Sequence, residues 1–345
     1  MAKKKQINVA LQGGGAHGAY TWGVLDRLLE ETDLEISGMS GTSAGALNGA
    51  AVKSGLSKGG SPEKARDQLE RLWEQVGALT DPRLEPWLSI FPPALISKSI
   101  EYSPLYAMSE SFSQIVSPYD TPLSEKNPLE WIIRKFEFDN ICCDSGPEFH
   151  ICATNVRSGK IRVFTRDEIS VEAIMASACL PTLFRAIEIY DPDTNRTEAY
   201  WDGGYTGNPA LFPLYDPGLP DDIVVININP LHREELPTRS RDIQNRINEI
   251  SFNSSLLREL RAIDFVRRLL EDGALTKGSM KDVHIHMIAD NELMTQLSVA
   301  TKNVPNPAVL SQLKSAGRKA ASAFLTDHID DIGHRGTVDL RQMFG

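Results

Sequence analysis

Ile7-Asn8-Val9-Ala10-Leu11-Gln12-Gly13-Gly14-Gly15-Ala16-His17-Gly18 and Leu34-Glu35-Ile36-Ser37-Gly38-Met39-Ser40-Gly41-Thr42-Ser43-Ala44-Gly45 follow the same plan: a short apolar run, a glycine turn, then a helix-like segment. Apolar runs of this length bounded by turn residues read as buried strands. Between them, residues 19–31 carry Trp22, Leu25, Leu28 and Leu29 at helical spacing. The unit is strand–helix–strand, which sets the two glycine turns side by side at one edge of a sheet. The first turn can aim bare backbone N–H groups into a site, and the second can present a serine at a sharp strand-to-helix bend. Donors next to a nucleophile point to acyl transfer.

Working outward, residues 44–53 continue as a helix that closes near Gly55, and Pro62 starts another with Ala65, Leu69, Leu72, Trp73 and Val76 on one face. Residues 149–155 and 160–164 read as a strand pair, followed by a helix over 171–178. A second pair, 186–190 and 198–201, ends at Asp202-Gly203-Gly204. Residues 222–229 and 282–289 add buried strands, and 307–328 a final helix. The expected fold is α/β, a mainly parallel central sheet flanked by helices, with the site at the carboxyl ends of the first two strands. The expected organisation is one domain over residues 1–345, with an irregular lid-like insertion at 80–128 and a helical part from 239. Eight of the 20 prolines fall in 80–128, which fits either a lid or acyl-binding wall or a set of helices that begin with proline.

In the helix expected over 239–271, Leu256, Leu260, Ile263, Val266 and Leu270 mark a core-facing stripe. Arg258, Arg261, Arg267 and Arg268 admit a second reading, a helix lying on anionic lipid, which Glu259, Asp264 and Glu271 dilute.

A chain of 345 residues, 41% hydrophobic and 24% charged, is ordinary for a packed globular protein. Its net charge of −10 argues against nucleic acid as a partner. Cys142, Cys143, Cys152 and Cys179 have the spacing of neither a disulfide framework nor a zinc site, which suits a reducing, cytoplasmic setting. The run after Lys3-Lys4-Lys5 is too short for a signal peptide, and no apolar stretch is long enough to span a bilayer, so any membrane contact is expected to be peripheral. Oligomeric state is open, a homo-oligomer included.

Gly-x-Ser-x-Gly occurs twice, at 41–45 and 55–59. Ser43 has a strand before it, a helix after it and small neighbours, as a nucleophile elbow requires. Ser57 follows a helix end and runs into Gly59, Gly60 and Pro62, as a linker serine would. The plain alternative for Ser43 is a helix N-cap. The rival for the first turn is dinucleotide binding: Gly13, Gly15 and Gly18 fit G-x-G-x-x-G, and Asp33 stands where a ribose-binding acid would. None of the seven histidines has a telling context: His284 and His286 would share a strand face, and His17 sits within the first turn and could lend positive charge. Asp202 closes a strand, and Gly203-Gly204 clears side chains from around it. At an ordinary pKa of about 4 it would be ionised, though a weaker base than imidazole.

Gly13-Gly14-Gly15-Ala16-His17-Gly18, Gly41-Thr42-Ser43-Ala44-Gly45 and Asp202-Gly203-Gly204, in that order, resemble the motifs of the patatin-like phospholipases. Ala176-Ser177-Ala178-Cys179-Leu180-Pro181 and Asn208-Pro209 resemble the stretches around that family's aspartate, so the likeness runs from about Ile7 to Pro209. It implies a three-layer α/β/α fold, Ser43 as nucleophile, Asp202 as base, and an oxyanion hole formed by Gly13, Gly14 and Gly15. It further implies a lipid or acyl-ester substrate cleaved through an acyl-enzyme, with no metal and no cofactor. Many members carry Arg or Lys in place of His17, which predicts activity that falls as this imidazole loses its proton.

Overall fold

The computed structural model describes residues 4–79, 92–103, 116–120 and 127–344. Strands β1 (Lys5–Leu11), β2 (Leu34–Thr42), β3 (Glu148–Asn155), β4 (Ile161–Thr165), β5 (Ile187–Asp191), β6 (Arg196–Asp202), β7 (Asp222–Asn227) and β8 (His284–Ala289) form one sheet in the order β5-β6-β3-β2-β1-β7-β8, with β4 also on β3. The block β3-β2-β1-β7-β8 is parallel throughout, and β4, β6 and β5 pair antiparallel. The sheet is therefore mixed but mostly parallel, as expected.

Strand alternation divides the core into two layers. Ile7, Val9 and Leu11 of β1 and Val224 and Ile226 of β7 face one cluster, while Ala10, Ile223 and Val225 face the other. The first cluster is closed by α1 (Gly18–Leu28), α2 (Ala44–Leu56), α3 (Pro62–Gly77) and the C-terminal Pro307–His328 helix. The second is closed by Leu256, Leu260 and Ile263 of the Ser240–Glu271 helix. Because helices cover both faces, the central strands are buried on both sides, and in β7 consecutive residues Ile223, Val224, Val225 and Ile226 are all buried. The result is three layers, helix on sheet on helix.

Helix starts follow the sequence. Ser61 accepts the Lys64 N–H at 3.3 Å ahead of Pro62, and Asn306 accepts Ala308 N–H at 3.0 Å ahead of Pro307. Most of 80–128 lies outside the described residues, and with it the expected lid. The described parts include helices Pro93–Glu101 and Pro128–Ile133, each with proline in its first turn. Among the described residues no helix is long and apolar enough to cross a membrane.

Candidate active site

β1 and β2 run side by side and stop at Leu11 and Thr42, so the residues that follow emerge at the same sheet edge. The two turns touch there. A Cβ added to Gly13 would stand 2.7 Å from Ser43 Cβ, so the absence of a side chain is what lets the loops meet. A Cβ on Gly45 would fall 2.1 Å from the Leu11 carbonyl oxygen, which fixes how closely α2 approaches β1.

Ser43 takes φ 54° and ψ −121°, a left-handed bend that costs a β-carbon residue on the order of 1–3 kcal/mol. Its hydroxyl makes no cap bond to α2, although it occupies the N-cap position. At α4 (Val171–Ser177) the equivalent Ser170 does accept the Ala173 N–H. The capping reading of Ser43 therefore fails, and its oxygen is left for other work. Ser57, the serine of the second Gly-x-Ser-x-Gly, ends α2 and donates to the Ser145 carbonyl at 3.0 Å.

Strand pairing brings Asp202 to the same edge: Thr42 pairs with Cys152 on β3, and the next β3 residue, Ala153, pairs with Asp202 at the end of β6. Ser177 links the Ser43 turn to β3, accepting the Ser43 N–H at 2.9 Å and donating to the Cys152 carbonyl at 2.6 Å. The Asp202 carboxyl accepts Gly204 N–H at 2.7 Å, and the Ser43 side chain lies near enough to favour its charged form. Burial pushes this carboxyl up to about 7, against the pull of both donors. The ordinary value assumed from sequence is thus corrected, and Asp202 matches imidazole in basicity.

The glycine turn is held by a buried polar network. Gly13 N–H donates to Asn208 Oδ1 at 2.7 Å, and the Gly13 carbonyl accepts Asn229 Nδ2 at 2.8 Å. Gln12 accepts from Ile228 and Asn229 and donates to Asn208 and Asn253. Among the described residues Gly14 and Gly15 N–H have no partner, whereas Gly13 N–H is spent on Asn208. Lys302, in the short helix Val299–Asn303, donates to Asn229 Oδ1 at 2.8 Å, and desolvation pushes it down to about 8.

His17 is buried, with Nε2 2.8 Å from Thr301 Oγ1. The Thr301 hydroxyl already donates to the Ser298 carbonyl, so His17 Nε2 carries the hydrogen. Burial, and then the Lys302 charge, hold the imidazole well below its ordinary value. The expectation of a positive His17 is overturned: its surroundings keep it neutral. His284 and His286 flank Asp222, at 3.5 and 2.9 Å, far down the chain from the turns. Among the described residues no cluster of metal-ligating side chains forms.

The dinucleotide reading fails on topology. Asp33 precedes β2 and its carbonyl accepts the Lys5 N–H, so it sits at the amino end of the sheet. The glycine turn lies at the other end, about 20 Å away at about 3.3 Å per residue.

A family model described as patatin-like phospholipase matches residues 9–215. The chain belongs to the patatin-like phospholipase family. Membership supports lipid acyl hydrolysis as the activity of this patatin-like chain. Among solved structures it is similar to VipD from Legionella pneumophila at 14% identity and TM-score 0.41, covering 95% of this chain and 68% of that one. It is also similar to ExoU of the Pseudomonas aeruginosa type III secretion system, solved in complex with SpcU, at 15% identity and TM-score 0.31, covering 93% and 53%. The chain thus spans about half the length of ExoU. No curated protein matches it. The matched span of the patatin-like chain holds Gly13, Ser43, Ser177, Asp202 and Asn208, whereas Asn229, Asn253 and Lys302 lie beyond it. Asn229, Asn253 and Lys302 stand in no motif of the sequence, whereas Ser177 and Asn208 lie in the stretches that resemble the surroundings of the family's aspartate.

Proposed function

We propose that the chain hydrolyses fatty-acyl ester bonds of lipids through Ser43 and Asp202, acting as one domain. Ser43 Oγ attacks the ester carbonyl carbon while its proton passes to the Asp202 carboxylate. The oxyanion is received by the free Gly14 and Gly15 N–H groups, and Gly13 serves to hold the loop. Losing one such donor typically slows turnover about 100- to 1000-fold. Collapse expels the alcohol, which takes the proton from Asp202, and leaves an acyl-Ser43 ester. Water, deprotonated by Asp202, attacks that ester and releases the fatty acid.

The observation that carries this reading is an N-cap serine that does not cap: its hydroxyl stands on a left-handed bend beside a buried carboxyl whose pKa is about 7. The test is hydrolysis of a panel of phospholipids, lysophospholipids, acylglycerols and thioesters, with fluorophosphonate labelling alongside. Labelling at Ser43 and loss of both signals in a folded Ser43→Ala variant are expected. Normal turnover by that variant would overturn the mechanism.

A further inference from the structure

The Ser240–Glu271 helix, α5, carries its apolar residues on two faces. Of the stripe legible from the sequence, Leu256, Leu260 and Ile263 pack on the sheet, Leu270 is buried and Val266 is half-buried. Ile243, Ile247 and Ile250, spaced i, i+4, i+7, share a different face and are 42%, 52% and 54% exposed; Phe265, 54% exposed, continues it. At about 1.5 Å per residue the three isoleucines span about 10 Å, and Phe265 lies about 22 Å further along the same face, beyond Arg258 and Arg261.

Charge sorts itself on the same helix. Arg258 and Arg261 are exposed on the outer face and have no carboxylate partner among the described residues, and Arg268 lies in line with them. The acids that seemed to dilute these arginines are engaged elsewhere. Glu259 turns inward to accept the Leu211 and Phe212 N–H groups at 2.9 and 2.7 Å, Asp264 is buried and pairs with Arg268, and Glu271 pairs with Arg341. Asp242, in the first turn, is the other exposed acid of the helix. A protein of net charge −10 thus presents an apolar stripe edged with arginine.

The opposite side of the same helix touches the site loop. Phe252 packs on Tyr205 at 5.4 Å between ring centroids, and Ser255 Oγ accepts the Asn208 N–H at 3.1 Å.

We propose that this outer face of α5 docks on an anionic lipid surface, isoleucines inserted and Arg258 and Arg261 on the headgroups, holding the chain on the surface that carries its substrate. The proposal rests on the lipid-ester reading for its purpose, but docking is measured without turnover. The full chain is floated with vesicles of phosphatidylcholine alone or with one-third phosphatidylglycerol, across a salt series. Binding to the anionic vesicles that weakens with salt is expected. Arg258→Gln with Arg261→Gln should weaken it about 30-fold, about fivefold per arginine. Ile243→Ser, Ile247→Ser and Ile250→Ser together should weaken it at least tenfold on the order expected for lost apolar insertion. Both variants should keep the wild-type unfolding midpoint and soluble-ester turnover. A chain that ignores anionic vesicles, binds them regardless of salt, or binds equally well as the arginine variant overturns the proposal. So does a dimer by light scattering that the isoleucine variant converts to monomer, because the face would then belong to a second copy. Loss of esterase activity with docking intact would instead count against the catalytic reading.

Discussion

Asn208 accepts the Gly13 N–H at 2.7 Å, so the loop that follows the aspartate motif fastens the first glycine turn. Asn208→Ala should leave that N–H unsatisfied in a buried loop, at about 1–3 kcal/mol of stability. We expect the variant to fold, with kcat reduced at least tenfold because Gly14 and Gly15 lose their aim, on the order of a misplaced oxyanion donor. Urea unfolding and ester kinetics on one preparation check both parts.

Asp202 acts as a base only when ionised. Its pKa of about 7 therefore sets an acid limb in kcat/KM, with activity rising as pH passes through that value. His17, held well below its ordinary value, stays neutral across the same range and contributes no limb. A pH–rate profile that falls between pH 6 and pH 7.5, or one that His17→Gln reshapes, would restore the protonated-imidazole idea.

The same raised pKa has a stability consequence. The folded carboxyl titrates near 7 and the unfolded one near 4, so the native state binds the extra proton between these values. Stability therefore falls as pH rises through that window, and the full cost, up to a few kcal/mol, applies above pH 7. Asp202→Asn, which keeps an acceptor for the Gly204 N–H, should abolish turnover yet unfold at a higher temperature than wild type at pH 8. The difference should vanish below about pH 4. Matching midpoints at pH 8 would refute the burial argument.

The two Gly-x-Ser-x-Gly sites should part company under mutation. Gly45→Ala drives a methyl into the Leu11 carbonyl at 2.1 Å, and we expect a loss of about 3 kcal/mol or failure to accumulate as folded protein. Ser57→Ala removes one hydrogen bond, to Ser145, for about 1 kcal/mol and leaves turnover unchanged. Circular dichroism, denaturation and an ester assay distinguish them.

Elements set by local pattern were legible in the sequence. The strand expected over 7–12 is found as Lys5–Leu11, and the helix expected over 307–328 as Pro307–His328. The pairing of Ser43 with Asp202 was implied by the family resemblance, and glycines mark both turns. What the sequence hid was set by neighbours distant along the chain. The basicity of Asp202 comes from burial, and the neutrality of His17 from burial and then the Lys302 charge. Gln12, Asn229 and Asn253 are ordinary polar residues until folding packs them together. Ile243, Ile247 and Ile250 have the spacing of core residues, and only the packed helix reveals that they point away from the sheet.

β7 flanks β1 on the side away from β2, and from beyond it Asn229 and Lys302 brace the glycine turn. A miniature catalyst cut down to residues 9–215 would therefore lose β7 and β8, leaving β1 as the edge of its sheet, and the buttress behind its first loop. Anyone grafting this chemistry onto a smaller scaffold must carry over that distant support as well.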